Sequence, residues 1–350
     1  RLTMQDYGNT DLWKQVNLAE AAVEAQAYIM NSSVDAIGDV GVTAVSDQSI
    51  DALVVAGSAA VSGGATGVSV AGAGAVAINT ITTDIKASID YDNSVFDSAW
   101  DINSGSVTIE AEDTSRITAV TGAAALAAAF GGVGVAVSIG FAGAYNEISN
   151  EVSASISDAD VTTTNGAGAI SVTAVEGATI NALTAAASLA VSIGGTGVSV
   201  SGAGAMATNV ILTTTKAYVS DSTLVSAGGV SIDASDTSTI NAIVLASTAA
   251  IAGGGVGVGV SIGGAFATNL IGTADNPAGA QAYVTDSTIT ATGAYTQNAT
   301  SEQTIRSAVI ATSVAIAPGG VGVAVSGSGV LAINLIIADI KAFIEGSTIT

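Results

Sequence analysis

The chain contains no cysteine and no histidine, and proline occurs only twice in its 350 residues. Without imidazole or thiol groups it cannot form a Ser-His-Asp triad, a Cys-His pair or an imidazole-zinc site. Disulfide bonds are excluded too, which leaves the stacking of neighbouring repeats as a source of stability outside a cell. Aromatic residues make up only 4% of the chain, so the large side chains that normally fill a globular core are scarce.

Basic residues are scarce as well: seven lysines and arginines stand against 29 aspartates and glutamates, for a net charge of −22. Such a surface repels the phosphates of nucleic acids and anionic lipids, so we expect no nucleic-acid partner and no membrane insertion. The charge suits a protein kept soluble at an extracellular or cell-surface location. No segment has the pattern of a signal peptide, and the chain begins in mid-pattern with Arg1-Leu2-Thr3-Met4, so we interpret it as a segment of a longer protein.

Small residues dominate what is present, with 42 glycines and a positive mean hydropathy of 0.60. Small β-forming residues can bury a core when backbones approach closely in regular layers, so the composition predicts an all-β laminated architecture. Residues 122–144 are apolar enough for a membrane span, but glycine and valine alternate there with period two, which predicts a strand. Only Leu18 to Ala27, rich in Ala and Glu, is typical of a short helix.

The chain is a tandem repeat with a period of about 60 to 67 residues. Each copy contains a Gly-Val alternation followed by an asparagine. A second marker, a short segment with alanine at its second position, follows the asparagine. The asparagines are Asn79, Asn146, Asn209, Asn269 and Asn334, and the second marker begins at Lys86, Ser153, Lys216, Gln281 and Lys341, with an earlier copy at Gln26. We predict a linker-like segment at 1–25 and a β-repeat array over 26–350, with units 26–86, 87–153, 154–216, 217–281, 282–341 and a partial unit 342–350.

Within one unit, 217–271, the pattern predicts strands from residue 217, at 223–225, 230–234, 239–252 and 256–271, separated by Asp, Ser and Gly turns. In Val256-Gly257-Val258-Gly259-Val260-Ser261-Ile262-Gly263, branched side chains face one way and Gly or Ser faces the other. We predict that the branched face fills a dry core and the small face packs closely against another layer. Glycine in a strand costs about 0.5–1 kcal/mol relative to alanine, so its in-phase repetition indicates a steric requirement.

The recurring asparagines allow two interpretations, which the sequence leaves open. They form amide ladders along the axis of stacked parallel coils, or they are turn residues that tolerate positive φ.

Several segments resemble the β-strand repeats of giant bacterial surface proteins such as filamentous haemagglutinin and the leukotoxin-type filamentous adhesins. The resemblance rests on Ser222-Thr223-Leu224-Val225-Ser226-Ala227-Gly228-Gly229-Val230-Ser231-Ile232-Asp233-Ala234 and on Gly195-Thr196-Gly197-Val198-Ser199-Val200. The stretch 5–16 is similar to a linker between repeat blocks of such proteins. The resemblance implies a right-handed parallel β-helix, secretion, and a role in adhesion or filament formation.

Strands of about twelve to fifteen residues flank each Gly-Gly turn, whereas typical strands have five or six. The predicted fold is therefore a tandem-repeat β-solenoid with either one wide coil or several narrow coils per repeat. Tandem hairpin-rich β-sandwich modules are the alternative.

No residue is assigned a catalytic, cofactor-binding or metal-binding role, and we predict that the chain is not an enzyme. Carboxylate pairs could bind calcium through oxygen ligands, although solvated turn acids are the commoner explanation. These pairs are Asp90 with Asp92, Asp158 with Asp160, and Asp233 with Asp236. Lys86, Lys216 and Lys341 are predicted to pair with turn acids. The insertion from Tyr91 to Ser104, which contains Trp100, is the candidate for a local contact surface, with packing of a loop as its default role.

The sequence thus predicts an extracellular structural repeat protein that forms a fibre, sheath or stalk by stacking and self-association. The alternative is a secreted adhesin or toxin passenger whose repeats are only the stalk. The predicted partners are the chain itself and, secondarily, a host or neighbouring-cell surface; no cofactor is required, with calcium as the one candidate.

Overall fold

The computed structural model describes residues 22–91, 101–164 and 166–350, which fold as a β-solenoid without any helix. All of the paired strands are parallel, and each strand pairs with the equivalent strand of the next repeat. The predicted all-β solenoid is confirmed, with one wide coil per repeat. Separate sandwich modules are not what the chain forms, because its sheets run continuously from repeat to repeat.

The strands are, in chain order, β1 Val23–Met30, β2 Val34–Asp35, β3 Val40–Ser46, β4 Ser49–Asp90, β5 Asp101–Ser104, β6 Val107–Asp113, β7 Arg116–Ser157, β8 Asp160–Thr163, β9 Ile170–Glu176, β10 Thr179–Ser220, β11 Thr223–Ser226, β12 Val230–Asp236, β13 Thr239–Ile271, β14 Ala278–Thr285, β15 Thr288–Ala291, β16 Tyr295–Ser301, β17 Thr304–Ile316, β18 Gly319–Ile336, β19 Ala338–Glu345 and β20 Thr348–Ile349. A coil consists of one long strand, one strand of four residues and one of seven. In the last two coils the long strand is divided, as β13–β14 and β17–β19.

Three sheets result from this stacking. The first has the order β1-β4-β7-β10-β13-β17 and also contains β14, β18 and β19, the second has the order β2-β5-β8-β11-β15-β20, and the third has the order β16-β12-β9-β6-β3. The pairing keeps the repeats in register, since each of the five recurring asparagines is paired with the next along the axis. Identical positions of successive repeats therefore form columns of side chains.

Each long strand leaves the rest of the coil, turns back at a glycine pair and returns. Positive φ angles at the turn, 141° at Gly64, 155° at Gly131 and 152° at Gly254, explain why glycine recurs there. We call the two halves the outbound and return arms, and their stack the blade: residues 52–79, 119–146, 182–209, 242–269 and 307–334. We call the remainder of the coils the body.

The two parts have cores of different kinds. In the body, the basal ends of the long strands and the two short-strand sheets enclose fully buried large side chains such as Ile85, Ile109, Ile156 and Leu224. Where the blade meets the body, a second cluster is built from isoleucines in register, including Ile117, Ile148, Ile180, Ile211 and Ile240. Inside the blade the buried apolar residues are almost all alanines.

The arms of the blade lie so close together that side chains larger than Ser or Thr are nearly absent between them. A methyl group placed on Gly140 would lie 2.5 Å from the carbonyl oxygen of Ala187, and one on Gly257 would lie 2.5 Å from that of Ala252. Ser201 donates a hydrogen bond directly across to the Ser188 carbonyl oxygen at 2.9 Å. The predicted close approach of glycine-rich strands is confirmed at these positions.

The predicted direction of the branched residues is wrong. Between Val256 and Gly263, Gly257, Gly259, Ser261 and Gly263 face the interior, whereas the branched residues face outward, with Val256 42% and Ile262 61% exposed. Hydrophobicity alone favours branched residues inside, but the gap between the arms has no room for them along this stretch. Strand periodicity was correct, and the assignment of the two faces was reversed.

Other local predictions have mixed outcomes. Residues 122–144 lie in strand β7, and the unit 217–271 has its short strands at Thr223–Ser226 and Val230–Asp236, as predicted. The helix predicted for Leu18 to Ala27 is wrong where the chain is described, because Val23–Met30 is strand β1. The start of the predicted helix lies outside the described residues. The insertion is shorter than predicted, since Asp101–Ser104 is the regular strand β5, paired with β8.

Alanine substitutions at two glycines in the blade should have opposite effects on stability. Gly140→Ala forces a methyl group against backbone and should lower the free energy of unfolding by about 1–3 kcal/mol. Gly72→Ala, on the outer face where nothing lies within 4 Å, should raise it by about 0.5–1 kcal/mol because the unfolded chain loses freedom. Denaturant titration measures both values. Equal effects at the two positions would contradict the thin interior of the blade.

Candidate interaction surface: the uncharged blade

The blade carries no charged residue in any of its five segments, 52–79, 119–146, 182–209, 242–269 and 307–334. All charged residues of the described chain lie in the body or at its junction with the blade. Charge separation of this kind divides the molecule into an acidic part, which water solvates well, and an apolar part, which is left for contact with something else.

The outer faces of the blade are covered with large apolar side chains. On the return arms of the three inner coils, the exposed ones are Val133, Ile139, Phe141, Met206, Val256, Ile262 and Phe266, and on the outbound arms they are Leu126, Phe130, Ile193 and Ile243. Monomeric soluble proteins rarely expose contiguous apolar patches beyond a few hundred Å². The blade is therefore the surface of this chain that is best suited to binding, and the return face is the more apolar of the two.

Columns of valine run along the return face parallel to the solenoid axis. One column consists of Val68, Val135, Val198, Val258 and Val323, and its neighbour of Val70, Val137, Val200, Val260 and Val325. The next column alternates glycine with isoleucine, as Gly72, Ile139, Gly202, Ile262 and Gly327. Nearer the body, the ring of Phe141 lies against Gly143 and Gly204, so parts of the glycine surface are covered from within the same chain.

The recurring asparagines form the inner border of the return arms. Each donates its Nδ2 to the Oδ1 of the next, at 2.8 Å, from Asn79 through Asn146, Asn209 and Asn269 to Asn334. Asn146, Asn209 and Asn269 are completely buried. The amide-ladder interpretation is confirmed, and it satisfies one donor and one acceptor of every inner member without any water.

The body contains a second polar column at the end of the seven-residue strands. Asp113, Glu176 and Asp236 occupy the same position in three successive coils and are fully buried. Asn150 donates its Nδ2 to both Asp113 and Glu176, and Thr213 donates to Asp236 at 2.8 Å. All three carboxylates also accept a hydrogen bond from the backbone N–H group two residues later, those of Ser115, Ala178 and Ser238.

Burial raises the pKa of Glu176 well above its ordinary value, and the negative charges of Asp113 and Asp236 raise it further. The hydrogen bonds from Asn150 and from the Ala178 N–H group act in the opposite direction and are weaker. Burial also raises the pKa of Asp113. Glu176 Oε2 has no hydrogen-bond partner within the described ranges, so the neutral acid is the form that this position favours.

The acids of the three predicted pairs lie in different environments. The interpretation of Asp236 as a solvated turn acid is wrong, because its side chain is buried. Asp233 lies on the opposite, partly exposed side of the same strand. Asp158 adopts a left-handed turn conformation with φ 53°, whereas Asp92 lies outside the described residues. No group of three or more Asp or Glu side chains that could hold a metal ion occurs in the described part of the chain, and the calcium hypothesis stays a prediction.

The three recurring lysines do pair with carboxylates. Lys86 lies 3.6 Å from Asp90 at the end of its strand, as predicted for a turn acid. Lys216 instead pairs with Glu151 of the adjacent coil at 3.5 Å, and Lys341 pairs with Asp339 within its own strand at 2.6 Å. These partly exposed pairs contribute about 0–1 kcal/mol each. Trp100, in the insertion predicted as a local contact surface, lies outside the described residues.

No helix in the described ranges is long and apolar enough to cross a membrane. No family model, curated protein or solved structure matches the chain. The predicted resemblance to filamentous bacterial surface proteins therefore stays a prediction.

Breaking the asparagine ladder at its centre should destabilise the solenoid. Asn209→Ala leaves the Nδ2 of Asn146 and the Oδ1 of Asn269 buried without partners, each at a cost of about 1–3 kcal/mol in the free energy of unfolding. Asn181→Ala removes one half-buried amide pair, to Asn241, and serves as the control with a smaller loss. Chemical denaturation measures both. An effect at Asn209 no larger than at Asn181 would show that the ladder is not a major source of stability.

Stability should depend on pH through Glu176. Because its pKa is raised in the folded state, the folded chain retains a proton that the unfolded chain releases, so this group's contribution falls as pH rises from the unfolded value of about 4.3 through the folded pKa. Glu176→Gln mimics the neutral acid and should gain in melting temperature over the parent chain as pH rises from 4 to 8. Glu302→Gln, at an exposed carboxylate, controls for the loss of one negative charge. A constant difference between Glu176→Gln and the parent across this range would contradict the assignment.

Proposed function

We propose that the chain is a stalk or fibre segment of a secreted bacterial surface protein, with a mechanical role that needs no cofactor and no catalysis. The observation that carries the proposal is the in-register stacking of five equivalent coils. Each coil adds about 4.8 Å to the length without changing the cross-section, so a longer array of the same repeats is a longer rod.

Stiffness along the axis comes from contacts that each coil makes only with its neighbours. Besides the backbone ladder, the asparagine column links all five coils, and Tyr218, Tyr283 and Phe343 stack on the body with ring centroids 4.9 and 5.1 Å apart. Such nearest-neighbour coupling makes unfolding of an inner coil costly, because two interfaces are lost at once. A load-bearing element exposed to proteases benefits from this property.

The composition of the surface supports a location outside the cell. The stability of the chain does not depend on thiols, and its acidic body keeps a protein with large apolar faces in solution. A secreted adhesin or toxin passenger, whose repeats hold a separate binding domain away from the cell, is the alternative, and it shares the rod. The two differ in whether the rods associate with one another.

Immunogold electron microscopy of intact source cells tests the proposal, with an antibody raised against this chain. We expect gold particles along thin rods or fibres outside the envelope without permeabilisation, and their removal by protease treatment of intact cells. An antibody against a cytoplasmic protein serves as the control for cell integrity. Labelling that requires permeabilisation, or that marks round particles and no extended structures, would refute the role.

A further inference from the structure

The alternating column on the return face has the shape of a row of projections and gaps. Ile139 and Ile262 are 56% and 61% exposed, which makes them the most exposed large side chains of the three inner coils. Between and beside them lie Gly72, Gly202 and Gly327. Nothing within 4 Å would meet a methyl group on Gly72 or Gly327, and only a backbone oxygen at 4.0 Å would meet one on Gly202.

A second copy of the same surface fits this pattern. Because isoleucine and glycine alternate from coil to coil, a copy displaced along the axis by one coil, about 4.8 Å, places each isoleucine opposite a glycine. A surface without the same axial repeat would match one projection and miss the next. The two all-valine columns beside this row have the same repeat and provide a flat surface on which such a shifted copy can lie.

The size of the return face is sufficient for a stable pair. Its arms of about fourteen residues are about 45 Å long, and the four coils that overlap after a shift of one coil are about 19 Å wide, which gives about 860 Å² per copy on strand geometry. A standard interface buries about 800 Å² per partner. The outbound face has fewer exposed large side chains on its inner coils.

Charge also favours a second copy over a charged partner. No basic or acidic group lies on the blade, so the contact itself brings no like charges together. A body with net negative charge, by contrast, repels other bodies and leaves the blade as the part of the chain where two copies can approach. The blade offers no charged side chain with which to pair a phosphate or a charged peptide.

We propose that two copies of this chain associate through their return faces, with Ile139 and Ile262 of one inserted at the glycines of the other. This inference deepens the proposed fibre-forming role and rests on it, since it names the surface by which stacked rods associate laterally. Face-to-face sheets lie about 10 Å apart, so the paired blades form a four-layered laminate.

Sedimentation equilibrium of the 350-residue chain tests the pairing. Ile139→Ser with Ile262→Ser should weaken dimerisation at least about tenfold, a change that corresponds to the loss of two buried apolar side chains. Ile193→Ser with Ile243→Ser is the matched control on the outbound face, where the two side chains are 50% and 45% exposed, and it should leave dimerisation unchanged. Equal weakening by both variants, or a wild-type chain that stays monomeric at millimolar concentration, would overturn the inference.

A gap-filling variant separates insertion from general stickiness. Gly202→Val adds apolar surface to the return face and should nevertheless weaken dimerisation, because it blocks the gap that receives an isoleucine. Far-ultraviolet circular dichroism and melting verify that the variant is folded. Stronger dimerisation by Gly202→Val would show nonspecific hydrophobic association and refute the insertion.

Cross-linking locates the contact. Because the chain has no native cysteine, only the introduced thiols can react. Packed sheets hold opposed Cα atoms too far apart for a disulfide, so a thiol reagent that spans about 10 Å is used. A mixture of Ile139→Cys and Gly202→Cys chains should give more covalent dimer than either variant alone. Preferential cross-linking of Ile193→Cys chains, or flotation of the chain with phosphatidylcholine vesicles in place of dimer formation, would overturn the proposal.

Extracellular rods that stay single would refute the pairing alone, whereas absence of rods from the cell surface would refute the proposed function.

Discussion

The small separation of the outbound and return arms is the constraint on which the rest of the structure depends. A backbone carbonyl oxygen occupies the space into which a side chain at Gly140 or Gly257 would extend. At such positions only Gly, Ala and small hydroxyl residues fit between the layers, so the larger residues of the alternating pattern face outward there. The thin interior and the apolar exterior of the blade are therefore two results of one packing condition. Exchanging the two faces of a strand would place the large side chains in a gap that has no room for them.

The body solves a different problem with the same repeat. Its three sheets enclose a volume wide enough for isoleucine, valine and leucine, which supply most of the large buried side chains of the chain. The buried amides form a column in which each inner member is bonded to both of its neighbours, the asparagine ladder. In the column of Asp113, Glu176 and Asp236, burial raises the pKa of Glu176 and of Asp113, and the negative charges of Asp113 and Asp236 raise the pKa of Glu176 further.

Much of the fold could be predicted from the sequence, because the repeat period and the strand positions leave a local imprint. The spacing of the asparagines and the two-residue alternation at Val256–Gly263 predict a repeat array of strands and favour a solenoid, but they leave hairpin-rich sandwich modules open, and parallel pairing is implied only by the resemblance. The face that points inward could not be predicted, since it depends on how near the opposite arm lies, and hydrophobicity gives the wrong answer. Burial of Asp236 and Glu176 was equally hidden: an acid next to a Ser or Gly turn has the same local sequence whether the turn faces water or the core. For the same reason the alternation predicts Ile262 as a core residue, and no local signal marks Ile139 or Ile262 as part of a contact surface.

Near-identity of the coils makes correct alignment during folding a problem in itself. A strand that docked one coil too far along would meet almost the same alanines, glycines and valines, so the blade alone discriminates weakly between correct and shifted neighbours. Positions that differ between coils supply the information that specifies which strands should pair. Among the described coils, the inserted loop of residues 272–277 occurs in one coil only, as does the proline at position 318. Such departures from the pattern, which look like defects in a repeat, give each coil an identity that its neighbours lack.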